Sequence, residues 1–159
     1  MIDVYLLLGS NLGDRQGYLR QAINLIEEEV APVSVASSLY ETQSWGKTDE
    51  PDYLNQVVCI KTELPADTIL KKILNIELMM GRRREVKWGS RIIDIDILFY
   101  GSDIIDEPNL VVPHPQLHNR MFTLAPLAEI APDFVHPLLG KHIFELKTEL
   151  KSNLHVKKL

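Results

Sequence analysis

Residues 81–101 read GRRREVKWGSRIIDIDILFYG. From Ile92 the stretch alternates as a strand does, and a period of two sends Asp94 and Asp96 to one face, with Cα atoms roughly 7 Å apart. Ile93, Ile95, Ile97 and Phe99 are expected on the other face. Aspartate is depleted in strands, and two on one face repel unless a positive charge lies between them, as a divalent cation would. Upstream, Arg82, Arg83, Arg84, Lys87 and Arg91 supply forked guanidinium donors and ammonium charge suited to phosphate oxygens. A wet edge strand accounts for the acids taken alone, and a solvated surface run accounts for the arginines. Together, opposite charges concentrated around a Gly-containing turn point to a metal-polyphosphate site.

Working outward, the Asp-bearing strand closes an alternating order. Val4–Leu8 is a short apolar run ended by Gly9-Ser10-Asn11 and predicts a buried strand. A helix follows, with Asp14 as N-cap and Leu19, Ala22, Ile23, Ile26 and Val30 at helical spacing, stopped by Pro32. Val33–Tyr40 predicts a second strand and Tyr53–Thr62 a third. The intervening ETQSWGKTDEPD is long for a hairpin, which favours a functional loop. Pro65 suits the first turn of a second helix whose stripe is Ile69, Ile73, Ile76 and Met80, ending at Gly81. Met79 and Met80 are expected to fill core. The result is an α+β, ferredoxin-like βαββαβ core with a mostly antiparallel sheet and helices packed over it. A short strand near Leu110–Val112 and a helix around Leu124–Ile130 come after it. Residues 1–159 are expected to form one domain, with 151–159 an exposed tail.

The composition bounds the function. At 159 residues, 45% hydrophobic and 25% charged, the chain is long enough to bury a core and is ordinary for a globular protein. Its formal net charge of −5 argues against general nucleic-acid affinity, so the local arginine cluster suits a small anion better. The single cysteine, Cys59, sits in the apolar run VVCI, which excludes an internal disulfide and favours a buried thiol. No run approaches the roughly 20 apolar residues of a membrane span, and the start has no basic n-region. A cytoplasmic, monomeric protein with no membrane and no nucleic-acid partner is expected.

Other candidates are less specific. The Gly9–Asp14 turn could cradle phosphate through backbone amides, but it lacks P-loop and GxGxxG spacing, which favours a structural turn. Tyr53 and Asn55 alternate onto one face, where an aromatic edge and an amide could read a planar heterocycle; a wet strand face explains them equally well. His114 is fixed between Pro113 and Pro115 near Arg120 and Phe122 and could contact phosphate through a ring N–H. His118, His136, His142 and His155 show no metal-ligand spacing. No nucleophile for covalent catalysis stands out.

The segments LLLGSNLGDR, PDYLNQVV, GRRREVKWGSRIIDIDILFYG and VPHPQLHNRMFTLAPLAEIAP closely resemble the 6-hydroxymethyl-7,8-dihydropterin pyrophosphokinases of folate biosynthesis. The most specific part is Lys87-Trp88-Gly89-Ser90-Arg91, two spacers, then Asp94-Ile95-Asp96-Ile97-Leu98. The resemblance implies Mg²⁺-dependent transfer of the β,γ-diphosphate of ATP to the hydroxymethyl group of the pterin, releasing AMP. It implies that Asp94 and Asp96 hold two magnesium ions, that Arg82 and Arg91 are catalytic, and that Arg84, Trp88, His114 and Arg120 contact ATP. Pterin recognition carries onto Thr42, Trp45, Gly46, Tyr53, Asn55 and Phe122, with loops 42–52 and 82–92 closing over the substrates. This chain departs from the pattern at Gln43-Ser44-Trp45, where members often carry a Pro-rich segment, at Leu74 in place of a polar residue, and at Arg83 in place of an aliphatic. Those departures bear on loop behaviour and ATP affinity. A different class of reading is a ferredoxin-like module that binds a nucleotide or nucleic acid without catalysis.

Overall fold

The computed structural model describes residues 1–42, 52–81, 92–151 and 155–159. The chain runs β1 (Ile2–Ser10), α1 (Arg15–Glu29), β2 (Val33–Ala36), β3 (Tyr40–Thr42), β4 (Tyr53–Thr62), α2 (Ala66–Met79) and β5 (Asp94–Tyr100). There follow β6 (Ile105–Glu107), β7 (Leu110–Val112), a 3-10 turn at Leu117–Asn119, α3 (Met121–Ile130), α4 (Ile143–Glu149) and β8 (Val156–Lys158). The main sheet has the order β5-β1-β4-β3-β8, with β2 also paired to β4, and every pairing in it is antiparallel. The βαββαβ expectation therefore holds, with the second strand split in two. Between its halves, Ser37 is tied to β4 by its own N–H to the Val57 carbonyl at 2.8 Å and by its Oγ, which accepts from the Val57 N–H at 3.0 Å.

Both faces of the sheet are covered, which explains why β1 reads as a continuous apolar run where a one-sided strand would alternate. Val4, Leu6 and Leu8 pack with Leu19, Ala22 and Ile26 of α1 and Ile69, Ile73 and Ile76 of α2. Tyr5 and Leu7 pack on the opposite side with Leu124, Leu127 and Ala128 of α3 and Ile143 and Leu146 of α4. The segment after Pro132 thus supplies half of the second layer. The N-cap expectation for α1 holds, since the Asp14 side chain accepts from the Gly17 N–H at 3.1 Å. Gly81, with φ +88°, ends α2 in a conformation that other residues adopt at a cost.

Three details differ from the sequence reading. A register shift at Tyr5/Leu6 leaves Leu98 bulged out of the β1–β5 pairing, so Phe99 joins the α3 side and Tyr100 takes the α1/α2 side. Met80 is buried but Met79 is exposed, because the two are adjacent on a helix and only one can face the sheet. The tail is not simply solvated: Val156–Lys158 adds a strand to the open edge of β3, pairing Thr42 with Val156 and Tyr40 with Lys158. Its side chains are mostly exposed and so carry no apolar signature.

Candidate active site

Cross-strand register places the site residues in rows. On the α3 side of the sheet one row runs Asp94, Gly9, Asn55, Tyr40 across β5, β1, β4 and β3, and Asp96 lies beside Leu7 one step along. Thr42 is opposite Tyr53 in the next row. Gly9 has a specific reason to be glycine. A Cβ there would lie 2.8 Å from Asn55 Oδ1, so the Asn55 amide occupies the space that a side chain on β1 would fill. Asn55 and Thr42 are both 3% exposed, and Asn55 Nδ2 and Thr42 Oγ1 have no hydrogen-bond partner among the described residues. Buried polar atoms left this way are costly. A ligand presenting complementary polar groups in one plane would supply the missing partners.

Asp94 and Asp96 lie at the outer edge of the sheet, in a cavity of about 900 Å³ between α2, β5 and the β6–β7 hairpin. Leu70, Leu74 and Glu77 form one wall, Asn109 to Val111 another, and His114 and Arg120 close the end toward α3. Two carboxylates aimed from one strand face into such a space are a hard-oxygen donor set suited to magnesium, which takes one or two carboxylates and completes its shell with water and phosphate. Among the described residues no group of three His, Cys, Asp or Glu comes together as a protein-only metal cage.

His114 is held by two hydrogen bonds. It follows a cis Val112–Pro113 bond, its N–H donates to the Leu98 carbonyl at 3.0 Å, and its Nδ1 accepts from the Gln116 N–H at 3.2 Å. Nδ1 as acceptor leaves the proton of the neutral ring on Nε2. Burial, helped by the Arg120 charge, lowers the imidazole pKa to about 4, so His114 is a neutral donor at physiological pH. Arg120 sits 5.5 Å from the centroid of the Phe122 ring, a cation–π contact that joins the cavity to the first turn of α3.

The described structure thus brings Asp94, Asp96, His114 and Arg120 into one cavity. Asn55, Tyr53 and Thr42 lie on adjoining strands of the same sheet face, with Phe122 on the helix above. Arg82, Arg84, Trp88, Arg91, Trp45 and Gly46 lie outside the described residues. Leu74 is one-third exposed on the cavity wall.

Glu77 escaped the sequence reading. It is 3% exposed, and its Oε2 accepts from the Ile95 N–H at 2.9 Å, clamping α2 to the residue between the two aspartates. The available signal was an acid four residues after Ile73, where helical spacing predicts an apolar side chain. The Gly9–Asp14 segment carries the Asn55 cradle and a helix cap, in keeping with a structural turn.

A three-layer fold with an acid-floored, arginine-ended cavity beside buried amide and hydroxyl groups defines a class of protein that binds a polyphosphate and a polar ring side by side. A model of the family described as 7,8-dihydro-6-hydroxymethylpterin-pyrophosphokinase (HPPK) matches residues 5–132, and the chain belongs to that family. It is 43% identical over 149 residues to the 2-amino-4-hydroxy-6-hydroxymethyldihydropteridine pyrophosphokinase of Aquifex aeolicus, covering 94% of this chain and 92% of that one. It is 47% identical over 127 residues to the protein of the same name from Bacillus subtilis, covering 79% and 76%. In fold it resembles the crystal structure of Plasmodium falciparum HPPK-DHPS with SDX-DHP, with a TM-score of 0.76 at 20% identity. The match covers 94% of this chain and 43% of that longer one. No helix among the described residues is long and apolar enough to cross a membrane.

Proposed function

We propose that this chain transfers the β,γ-diphosphate of ATP to the hydroxymethyl oxygen of 6-hydroxymethyl-7,8-dihydropterin, releasing AMP. The observation that carries the reading is the row in which Asp94, which lines the cavity, stands one glycine away from the buried Asn55 amide. The triphosphate lies in the cavity and the pterin against Asn55, so the two substrates meet at Asp94. Asp94 and Asp96 would hold the magnesium, as two ions with ATP, and the metal would supply neutralisation of the triphosphate charge. His114 donates from Nε2 and Arg120 from its guanidinium to phosphate oxygens, while Arg82 and Arg91, with Arg84 and Trp88 beside them, brace the transferred group from the adjoining loop. Asn55 and Thr42 satisfy their buried polar atoms on the pterin edge, Phe122 stacks on its face, and Tyr53, Trp45 and Gly46 complete the slot. Attack by the hydroxymethyl oxygen on the β-phosphorus breaks its bond to the α,β-bridging oxygen, which leaves with AMP, and the hydroxyl proton passes to solvent. Catalysis is by positioning and charge, with no covalent intermediate. A cytoplasmic setting suits substrates that are soluble metabolites.

Product analysis tests this reading. Incubation with ATP, MgCl₂ and the pterin should yield AMP and pterin diphosphate in equal amounts. ADP with a pterin monophosphate would contradict it. Ligand binding without any turnover would return the chain to the noncatalytic module.

A further inference from the structure

The carboxylate of Glu129, near the end of α3, collects an unusual set of donors. Tyr40 OH donates to its Oε1 at 2.6 Å, the Ser38 N–H reaches both oxygens at 3.1 Å, and Ser38 Oγ reaches Oε2 at 3.0 Å. Lys158 Nζ of the terminal strand stands 4.0 Å away. Burial would raise the Glu129 pKa, but the bonds from Tyr40 and Ser38 outweigh it and hold the group below its ordinary value. It is therefore ionised, and bonds to an ionised acceptor are roughly twice as strong as neutral ones.

Two geometric facts make this more than a surface contact. Phe122 and Glu129 are seven residues apart on one helix, which places them within about 20° of the same face and about 10 Å apart along the axis. Tyr40, in turn, is the direct cross-strand neighbour of Asn55, and the two side chains share a sheet face. Tyr40 is 7% exposed, so its ring is packed against its surroundings as well as anchored at its hydroxyl. One bond thus fixes, at one end, the helix that carries the aromatic lid of the slot and, at the other, the ring that backs the amide on its floor.

We infer that the Tyr40–Glu129 bond, backed by Ser38 and by the terminal strand β8, sets the height of Phe122 over Asn55 and so acts as a positioning device for the pterin. Tyr40 and Glu129 touch neither substrate in this account. The inference rests on the placing of the pterin proposed above. It assigns to residues outside both substrate sites a selective effect on one substrate.

The test is binding of the hydroxymethyl pterin to protein saturated with magnesium and α,β-methylene ATP, whose bridging carbon blocks the bond that would break. Calorimetry would be run on the wild type, on Tyr40→Phe, which removes only the hydroxyl, and on Glu129→Gln, which keeps an acceptor but not the charge. Loss of one charge-assisted bond should weaken pterin binding about 10-fold in Tyr40→Phe. Glu129→Gln should show a smaller loss, and the affinity for α,β-methylene ATP should stay within about twofold of wild type. The double variant should weaken pterin binding no more than Tyr40→Phe alone, since both changes act through the same contact. A variant with a lower melting temperature and unchanged pterin affinity would overturn the inference, leaving the contact purely structural. Equal weakening of both ligands would overturn it too. If the wild type itself fails to bind the pterin, the proposed substrate falls first, and that outcome is visible before any variant is compared.

Discussion

At the scale of single residues, the site depends on where small differences in space and charge have been resolved. Gly9 is the clearest instance, because its missing Cβ lets the Asn55 amide lie over β1 toward Asp94. Gly9→Ala should leave the fold intact, since the atom displaced is the tip of a side chain, but should weaken pterin binding about 10-fold through the lost amide contact. Comparison of the pterin KM and the melting temperature would check this; a fall in melting temperature with unchanged KM would contradict it. His114 makes a second case. Its folded-state pKa of about 4 lies below the ordinary histidine value, through burial first and the Arg120 charge second. The unfolded chain therefore binds the extra proton more readily between about pH 6.5 and 4. The contribution of His114 to stability is fully present above that window and is lost as pH falls through it. An NMR titration should find the His114 ring titrating near pH 4, and Arg120→Gln should move that value upward. A His114 titration at its ordinary value in the wild type would contradict the burial argument.

At the scale of elements, the acids work only as well as β5 is held. The strand lies at the sheet edge, bonded to β1 on one side and to Glu77 of α2 through the Ile95 N–H on the other. Glu77→Ala should strand that N–H in a buried setting, costing about 1–3 kcal/mol, or on the order of 2–10 °C in melting temperature. Turnover should fall as the aspartate pair shifts. Thermal unfolding and AMP formation measured on the same preparation would check both effects. Much of this level was legible beforehand. The strand Tyr53–Thr62, the cap at Asp14 and the stripe of α2 follow from alternation, capping chemistry and helical spacing, which are local properties of the chain. The bulge at Leu98 was not, because it arises from the register between β1 and β5, and no single strand records it. The terminal strand escaped for a similar reason. Lys157 and Lys158 look solvated and are, while their backbone completes the edge of β3.

At the scale of the whole molecule, two apolar layers hold one sheet so that its α3 side carries the row of Asp94, Gly9, Asn55 and Tyr40 at one end and is packed against α3 and α4 at the other. Residue types drew attention to the acid pair and to the histidine between prolines, because each is unusual in its local setting, while a wet strand face accounted equally well for Tyr53 and Asn55. What the sequence could not display was Glu77 behind the acids or Glu129 two turns along α3 from Phe122. Both are ordinary acids in helices, and they become distinctive only when folding brings Ile95 and Tyr40 to them. The molecule also carries a pH weakness away from the site. His136 is 3% exposed, and its Nδ1 accepts from the Leu138 and Leu139 N–H groups at 3.2 and 3.1 Å, with the His118 ring 6.2 Å away. Burial, and then the neighbouring His118, lower its pKa, so acidification forces a proton onto a ring that is accepting two bonds. His136→Phe should accordingly flatten the loss of melting temperature as pH falls below the ordinary histidine range, and an unchanged slope would contradict this.

The most direct test of the central claim is the magnesium dependence of AMP formation in the Asp94→Ala/Asp96→Ala double variant, with folding verified by melting temperature. The double variant should stay folded while its turnover drops by on the order of 10²-fold or more and no longer responds to magnesium. A double variant that keeps wild-type turnover and its full magnesium response would show that the phosphates are held elsewhere.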